Sequence, residues 1–198
     1  MSSANYISVN LHLHADDKAR RLLATLLQRG FLVPVSGEIT LAELLIPLPG
    51  FSEQYVQDRV QTIFVNGLSE DNLDRKLFPN DTLALSAAMP GLAGAIFRRG
   101  GQHASLRTRP QKSTRHTQDK SGFITLKLFN MIAMETGSEL LQEGIMVKGK
   151  ILRSFLKARG EKLRPLILAM EINRSQDNFE QLADKIQDTE NILLTIHG

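Results

Sequence analysis

The sequence predicts an α+β protein, because stretches with the two-residue period of strands and stretches with the spacing of helices occur along one chain. Residues 6–14 place Ile, Val and Leu side chains at alternate positions, with polar side chains between them, as in a half-buried strand. Residues 61–65 are rich in β-branched and aromatic residues, which favour strands. Residues 149–160 instead bring apolar side chains to one face of a helix. Both element types are therefore expected in the folded chain.

The first half of the chain is predicted to contain helices between its strands. Residues 16–30 open with acidic residues, carry leucines at helical spacing and end at a glycine, which favours a helix. Residues 31–35 follow as a strand, in which Pro34 indicates an edge position or a strand end. Thr40 can cap the next helix, which nearby prolines end early, and Ser52 can cap a further helical turn.

A second group of elements begins with the strand at residues 61–65. This strand stops at Asn66 and Gly67, a pair that readily supplies a turn with positive φ. A polar connection, predicted to be a loop with a short helical turn, leads into a second strand at residues 82–87. The glycines within residues 90–101 are too dense for a helix or strand interior, so we expect a strand-end tail or a close backbone contact there.

From Val65 onward, the chain carries a V-N-G strand end, a polar loop with a leucine, an N-D turn, a strand and a Pro-Gly exit. The positions are Val65, Asn66, Gly67, Leu77, Asn80, Asp81, residues 82–87, Pro90, Gly91, Leu92, Ala93, Gly94 and Ala95. This order resembles the ubiquitin-like β-grasp sulfur carriers (MoaD/ThiS-like), which include the small subunit of molybdopterin synthase. The resemblance implies a mixed sheet crossed by a helix, with residues 6–14 as its first strand.

The resemblance also implies a chemistry. In the family, the terminal glycine carboxylate is adenylated by a partner enzyme and converted to a thiocarboxylate, which donates sulfur. The aligned pair here is Gly94-Ala95, and the chain continues beyond it. A second pair, Gly100-Gly101, resembles the ubiquitin tail, and proteolysis after Gly101 would expose a carboxylate for activation. The alternative interpretation of that pair is a turn before a basic segment.

The remaining residues are predicted to form a small α/β domain. Residues 123–144 allow either a strand followed by a helix or two helices, with Gly137 interrupting or bending the helical part. After the helix at residues 149–160, an apolar strand follows at residues 166–172, Ser175 caps a helix, and residues 191–196 close as another strand. A strand, helix, strand order of this length predicts a right-handed βαβ unit.

These patterns predict three parts: a β-grasp domain at residues 1–101, a basic linker at 102–121 and the α/β domain at 122–198. Residues 102–121 show no apolar periodicity and cannot bury enough surface to offset the entropy of ordering. The wider segment 98–120 holds seven Lys or Arg side chains against one acidic side chain, Asp119, although the whole chain has a net charge of only +3.

Composition limits the function classes further. The chain has 198 residues, 42% of them hydrophobic, which is ample for a buried core. It has no cysteine, which excludes a disulfide, a thiolate nucleophile and a zinc-thiolate site. No apolar run approaches the length of a membrane span, and the first residues lack the pattern of a signal peptide, so a cytoplasmic protein without membrane contact is expected.

Few residues indicate catalysis or a metal, and we predict a protein that is not an enzyme and needs no cofactor. His12 and His14 share one side of a strand, but no third ligand is evident, and a solvent-facing strand edge is the preferred interpretation. Glu135, Glu139 and Glu143 recur on one helical face, which is more typical of a solvated surface than of a metal site. Neither set predicts a metal site.

The basic segment allows an anion or nucleic-acid contact. Each of its cations could neutralise a phosphate, but it lacks interleaved aromatic residues for base stacking, so a solvated linker is preferred. The candidate anion contacts are Arg98, Arg99, Arg107, Arg109, Lys112 and Arg115.

The leading hypothesis is a non-catalytic protein related to the sulfur carriers that acts by protein–protein interaction through residues 90–101. In residues 89–97, which overlap this segment, Met89, Leu92, Ile96 and Phe97 are candidate anchors. The resemblance implies an adenylating enzyme or a molybdenum-cofactor enzyme as partner, and self-association is an alternative. The competing hypotheses are a carrier or protein modifier activated at Gly101 after cleavage, and nucleic-acid binding by residues 98–120.

Overall fold

The computed structural model describes residue 7, residues 9–107 and residues 121–198. This described part contains twelve strands and seven α-helices, which agrees with the predicted α+β class. The strands are β1 (Val9–Ala15), β2 (Phe31–Val35), β3 (Ile39–Thr40), β4 (Thr62–Val65), β5 (Leu68–Ser69), β6 (Lys76–Leu77), β7 (Thr82–Ser86), β8 (Gly122–Phe129), β9 (Ile145–Lys148), β10 (Ile167–Ile172), β11 (Ser175–Gln176) and β12 (Asn191–His197). The helices are α1 (Asp17–Ala24), α2 (Leu41–Leu45), α3 (Glu53–Asp58), α4 (Gly91–Phe97), α5 (Asn130–Glu143), α6 (Gly149–Leu163) and α7 (Leu182–Lys185). None of the described helices is long and apolar enough to cross a membrane.

The chain divides into two compact units that do not follow the predicted boundaries. Unit 1 consists of Met1–Leu32 and Thr136–Gly198, and unit 2 consists of Val33–Glu135. The physical reason is strand pairing: the N-terminal strand β1 pairs with β10 and β12, which come from the C-terminal part of the chain. Most of the predicted linker, residues 108–120, lies outside the described residues.

The sheet of unit 1 is built around β1. Its strand order is β11-β10-β1-β12-β9. β1 is antiparallel to β10 and parallel to β12, and Leu11 and Leu13 on its inner side are buried, which confirms the predicted alternation. Because β1 is antiparallel to one of them and parallel to the other, β10 and β12 run in opposite directions. The predicted right-handed βαβ unit, which needs parallel strands, is therefore wrong.

The helices of unit 1 follow the sequence signals in part. The helix predicted at residues 149–160 is confirmed as α6, with Leu152, Phe155 and Leu156 buried. Gly137 does not interrupt α5. A Cβ at this position would lie 3.0 Å from the Cβ of Ala24, so the glycine allows the helix to pack closely against Ala24. Ser175 does not cap a helix but begins the short strand β11, whereas Asn178 caps the 3₁₀ turn that precedes α7.

Unit 2 contains a second group of paired strands. Their order is β2-β8-β7-β4-β5. The first two residues of β2, Phe31 and Leu32, belong to unit 1, and the rest of the strand belongs to unit 2. β7 is antiparallel to β4 and parallel to β8. The resemblance placed residues 6–14 in the same domain as β7, but β1 pairs within unit 1, and the parallel neighbour of β7 is β8. Of the two alternatives for residues 123–144, the strand followed by a helix is confirmed.

Local signals in unit 2 predicted its helix starts and its first turn well. Thr40 caps α2 and forms a capping box with Glu43, and the Ser52 hydroxyl accepts a hydrogen bond from the Tyr55 N–H at 3.0 Å. Asn66 and Gly67 have φ values of 52° and 81°, which confirms the predicted turn. The connection after this turn contains the short strands β5 and β6, where a loop with a short helical turn is predicted.

Two glycines of α6 test whether close backbone packing is needed in unit 1. At Gly149 a Cβ would lie 1.9 Å from the Gln187 carbonyl oxygen, whereas nothing lies within 4 Å of the position of a Cβ at Gly160. We expect Gly149→Ala to lower the free energy of unfolding by about 1–3 kcal/mol through overpacking. Gly160→Ala should raise it by about 0.5–1 kcal/mol, because alanine favours a helix interior. Urea denaturation of both variants measures this, and equal effects of the two substitutions would contradict the packing.

Candidate functional site

The main candidate site is a groove on one face of the unit 2 sheet. Along β7, alternate residues point to opposite faces, so Leu83 and Leu85 are buried while Thr82 and Ala84 are half-buried on the other face. β8 follows the same rule, with Leu126 and Leu128 buried. The opposite face, together with the segments that follow β4, β7 and β8, forms what we call the sheet groove. The lining residues are Phe64, Gly67, Thr82, Ala84, Leu85, Ser86, Met89, Lys127, Phe129 and Asn130.

Strand register produces the depression in this face. Ala84 on the central strand pairs with Phe64 on β4 and with Lys127 on β8. A methyl group therefore lies between two much longer side chains. Two residues further along β7, Ser86 pairs with Phe129. Small side chains on the central strand thus form the floor of the groove, which has a volume of about 440 Å³.

The walls of the sheet groove are apolar, and its polar groups are few. Phe64 packs against Phe97 of α4, with ring centroids 5.3 Å apart. At one end, the Asn130 side-chain amide donates to the Ser86 hydroxyl at 3.0 Å, and Asn130 itself has a φ of 51°. Lys127 is the only cationic side chain among the described lining residues. An apolar groove with a small number of placed polar groups is the usual form of a ligand site.

The segment after β7 forms a helix, which corrects the prediction that its glycines exclude one. Pro90 occupies the N-cap of α4, and Gly91 at the first position has a φ of 72°. Gly94 is buried, and a Cβ there would lie 1.7 Å from the Met89 carbonyl oxygen, so the predicted close backbone contact is confirmed. Leu92 points outward with 72% of its surface exposed, and Ala93 is also exposed, so α4 presents an apolar surface.

Gly100 and Gly101 lie in a turn that is tied to the rest of unit 2. The Gly101 N–H donates to the Arg98 carbonyl at 2.9 Å, and the Gly100 N–H donates to the Asp71 carboxylate at 3.3 Å. Asp71 also accepts a hydrogen bond from Arg107 at 2.7 Å. The turn interpretation of this pair agrees with these contacts, because both glycines are held by hydrogen bonds.

Arg107 makes hydrogen bonds that hold the segment after α4 in place. Its side chain is only 10% exposed and donates to the Ile96 carbonyl at 2.7 Å, to the Asp71 carboxylate and to the Arg98 carbonyl. Arg99 donates to the carbonyl groups of Val56 and Gln57 at 3.1 and 2.7 Å, and burial lowers the pKa of its guanidinium below the usual value.

Two of the six candidate anion contacts, Arg99 and Arg107, are therefore engaged in internal hydrogen bonds. Arg98 is exposed. Arg109, Lys112 and Arg115 lie outside the described residues.

Asn66 and Asp81, two of the positions that carry the resemblance to the sulfur carriers, are in contact at the start of β7. The Asn66 side chain donates to the Asp81 carboxylate at 2.7 Å and accepts from the Thr82 N–H at 2.9 Å. The same carboxylate accepts from the Phe78 N–H at 2.9 Å. Asn66 and Asp81 thus hold together the turn after β4 and the turn before β7, which is a structural role.

The histidines and glutamates of the sequence analysis lie elsewhere. His12 Nδ1 is hydrogen-bonded to the Thr195 hydroxyl in unit 1. Glu135 accepts hydrogen bonds from Arg59 and, at 2.7 Å, from the Tyr55 hydroxyl; the bond from Arg59 is the main reason that the pKa of this carboxyl is lowered. Among the described residues, no three His, Asp or Glu side chains are close enough to hold a metal ion.

The residues of β8 that line the sheet groove are not among the candidates identified from the sequence. Residues 122–129 alternate between apolar core positions and outward positions, and Lys127 and Phe129 occupy two of the outward ones. That alternation was the available signal, but the pairing of β8 with β7 could not be read from it.

Comparison with protein-family models, with curated proteins and with solved structures finds no match to this chain. Its function is therefore inferred from its own residues and their geometry.

The contacts of Arg107 lead to a prediction about the segment after α4. We expect Arg107→Ala to raise the amide hydrogen-exchange rates of Arg99, Gly101 and Ala104 by about tenfold or more, because hydrogen bonds to a charged group are lost and local opening becomes easier. Arg159→Ala, at an exposed position of α6, is the matched control and should leave these rates unchanged. Unchanged exchange in Arg107→Ala would show that the segment is not held by this side chain.

Proposed function

We propose that the protein is not an enzyme and acts by protein–protein interaction through residues 90–101, with α4 as the contact element. The observation that carries this proposal is the exposure of Leu92, at 72%, on a short helix whose other side is fixed. An exposed large apolar side chain on a well-anchored element is the form that binding anchors take at protein interfaces.

The anchoring of α4 supports this use, because a rigid element loses less conformational entropy on binding. Gly94 lies against the Met89 carbonyl, and Phe97 packs on Phe64. At the C-terminal end of the helix, Arg107 holds the backbone in place by donating to the carbonyl groups of Ile96 and Arg98. Of the predicted anchors, Met89, Ile96 and Phe97 are half-buried, and Leu92 is the most exposed.

We further propose that unit 2 is a β-grasp-like domain related to the ubiquitin-like sulfur carriers. The V-N-G turn after β4 and the strand β7 supply the elements on which the resemblance was based. In this proposal, β8 takes the place beside β7 that the resemblance assigned to residues 6–14. The proposed partner is a protein, with an adenylating enzyme or a molybdenum-cofactor enzyme as the class that the resemblance implies.

Nucleic-acid binding is less well supported for the described part of the basic segment. Arg99 donates to the carbonyl groups of Val56 and Gln57, and Arg107 donates to backbone carbonyl groups and is paired with Asp71, so both side chains are held inside unit 2. A cation that is buried and paired contributes little to phosphate binding, which depends on releasing counterions from exposed charges.

A paired substitution tests the proposed contact surface. We expect Leu92→Asp to reduce recovery of the bound partner by about tenfold or more when the tagged protein is cross-linked in its native cells and purified, because hot-spot anchors contribute at least about 2 kcal/mol. Leu168→Asp, in β10 of unit 1, changes a leucine of nearly equal exposure, 73%, and should leave recovery unchanged.

Equal recovery of the same partner with both variants would contradict a contact through α4. Circular dichroism of both variants establishes that each is folded, since surface substitutions usually change stability by no more than about 0.5 kcal/mol. If the recovered partner is a second copy of this chain, Leu92→Asp should also convert the dimer to a monomer in sedimentation experiments.

A further inference from the structure

We propose that the sheet groove of unit 2 is a binding site for a small apolar carboxylate, held by Lys127 and by apolar contacts along β7. This proposal is independent of the contact through α4, because Leu92 is not among the residues that line the groove.

The size and shape of the groove fit a small molecule. Its volume of about 440 Å³ lies within the range of about 300–1,000 Å³ found for small-molecule sites. The floor is formed by the small side chains of Ala84 and Ser86, and the longer side chains of Phe64 and Phe129 rise on opposite sides through the strand register. The depression is therefore built into the pairing of three strands and does not depend on a loop.

The lining chemistry favours an apolar ligand body. Phe64, Met89 and Phe129 supply aromatic and thioether surface, and Met side chains adapt readily to ligands of different shape. Burying the apolar part of a ligand here would contribute free energy in proportion to the area removed from water.

The charge of the groove favours a carboxylate at one point of the ligand. Lys127 is half-buried among the lining residues and forms no ion pair with any residue in the part of the chain that the structure describes. A single ammonium group beside apolar walls attracts an anion more strongly than it would in water, because the local dielectric constant is lower.

A second polar group lies two residues further along the same strands, where Ser86 pairs with Phe129. Ser86 is buried, and its hydroxyl oxygen accepts from Asn130, so its own hydrogen can be donated to a ligand. Asn130 holds this hydroxyl from a left-handed backbone conformation at the junction of β8 and α5, and such conformations are often found at binding sites. Lys127 and Ser86 together give the groove donors for a carboxylate, whereas none of the described residues that line it is acidic and would attract a cation.

Octanoate and 1-octanol provide a matched pair of probes, since they share an apolar chain and differ in the carboxylate. Each is titrated into the full-length ¹⁵N-labelled protein and followed by NMR. We expect octanoate to shift the amide signals of Ala84, Ser86 and Lys127 in a saturable manner and to bind more tightly than octanol. Lys127→Met should weaken octanoate binding about tenfold, as expected for the loss of a charge-assisted hydrogen bond, and leave octanol binding unchanged.

Two further variants separate the groove from general effects of charge and of folding. Lys162→Met removes an exposed cation from α6 in unit 1 and should not change octanoate binding. Ala84→Leu fills the floor and should abolish binding of both probes in a protein whose spectrum remains folded. The proposal is overturned if octanoate produces no saturable shifts at the groove, if octanol binds as tightly as octanoate, or if Lys127→Met and Lys162→Met have equal effects.

Discussion

The parallel pairing of β7 with β8 is the interaction on which the rest of unit 2 depends. The two strands are separated along the chain by residues 87–121, which include α4 and the basic segment. Parallel strands cannot be joined by a tight turn and need a crossover of a dozen or more residues, and this intervening segment supplies it. Once β8 lies beside β7, Leu126 and Leu128 are buried together with Leu83 and Leu85.

Both proposed surfaces of unit 2 follow from this pairing. The sheet groove exists because Ala84 lies between Phe64 and Lys127 in one row across three strands. α4 begins the crossover, and its contacts with Met89 and Phe64 keep it close to β4 and the end of β7. Phe64 takes part in both surfaces, because it lines the groove and packs against Phe97 of α4.

Local elements could be predicted from the sequence, because their signals involve residues that are close along the chain. The cap at Thr40 and the turn at Asn66 depend on the next few residues only, and both were predicted. Long-range pairing left no comparable signal: the alternation of residues 6–14 predicts a strand but does not say that its partners are β10 and β12. The sheet groove was missed for the same reason, since Lys127 becomes part of a site only through its register with Ala84.

Disulfide formation tests the β7–β8 pairing most directly, because the chain has no cysteine of its own. Thr82 and Thr125 are directly paired, so the variant with cysteine at both positions should form a disulfide under mild oxidation. The spacing between strands and the rise per residue place the Cα atoms of positions 82 and 127 about 8 Å apart. Cysteines at these two positions are too far apart for a disulfide without backbone movement. Rapid cross-linking of the first pair and not of the second is the result expected from the fold. Cross-linking of both pairs at equal rates, or of neither, would contradict it.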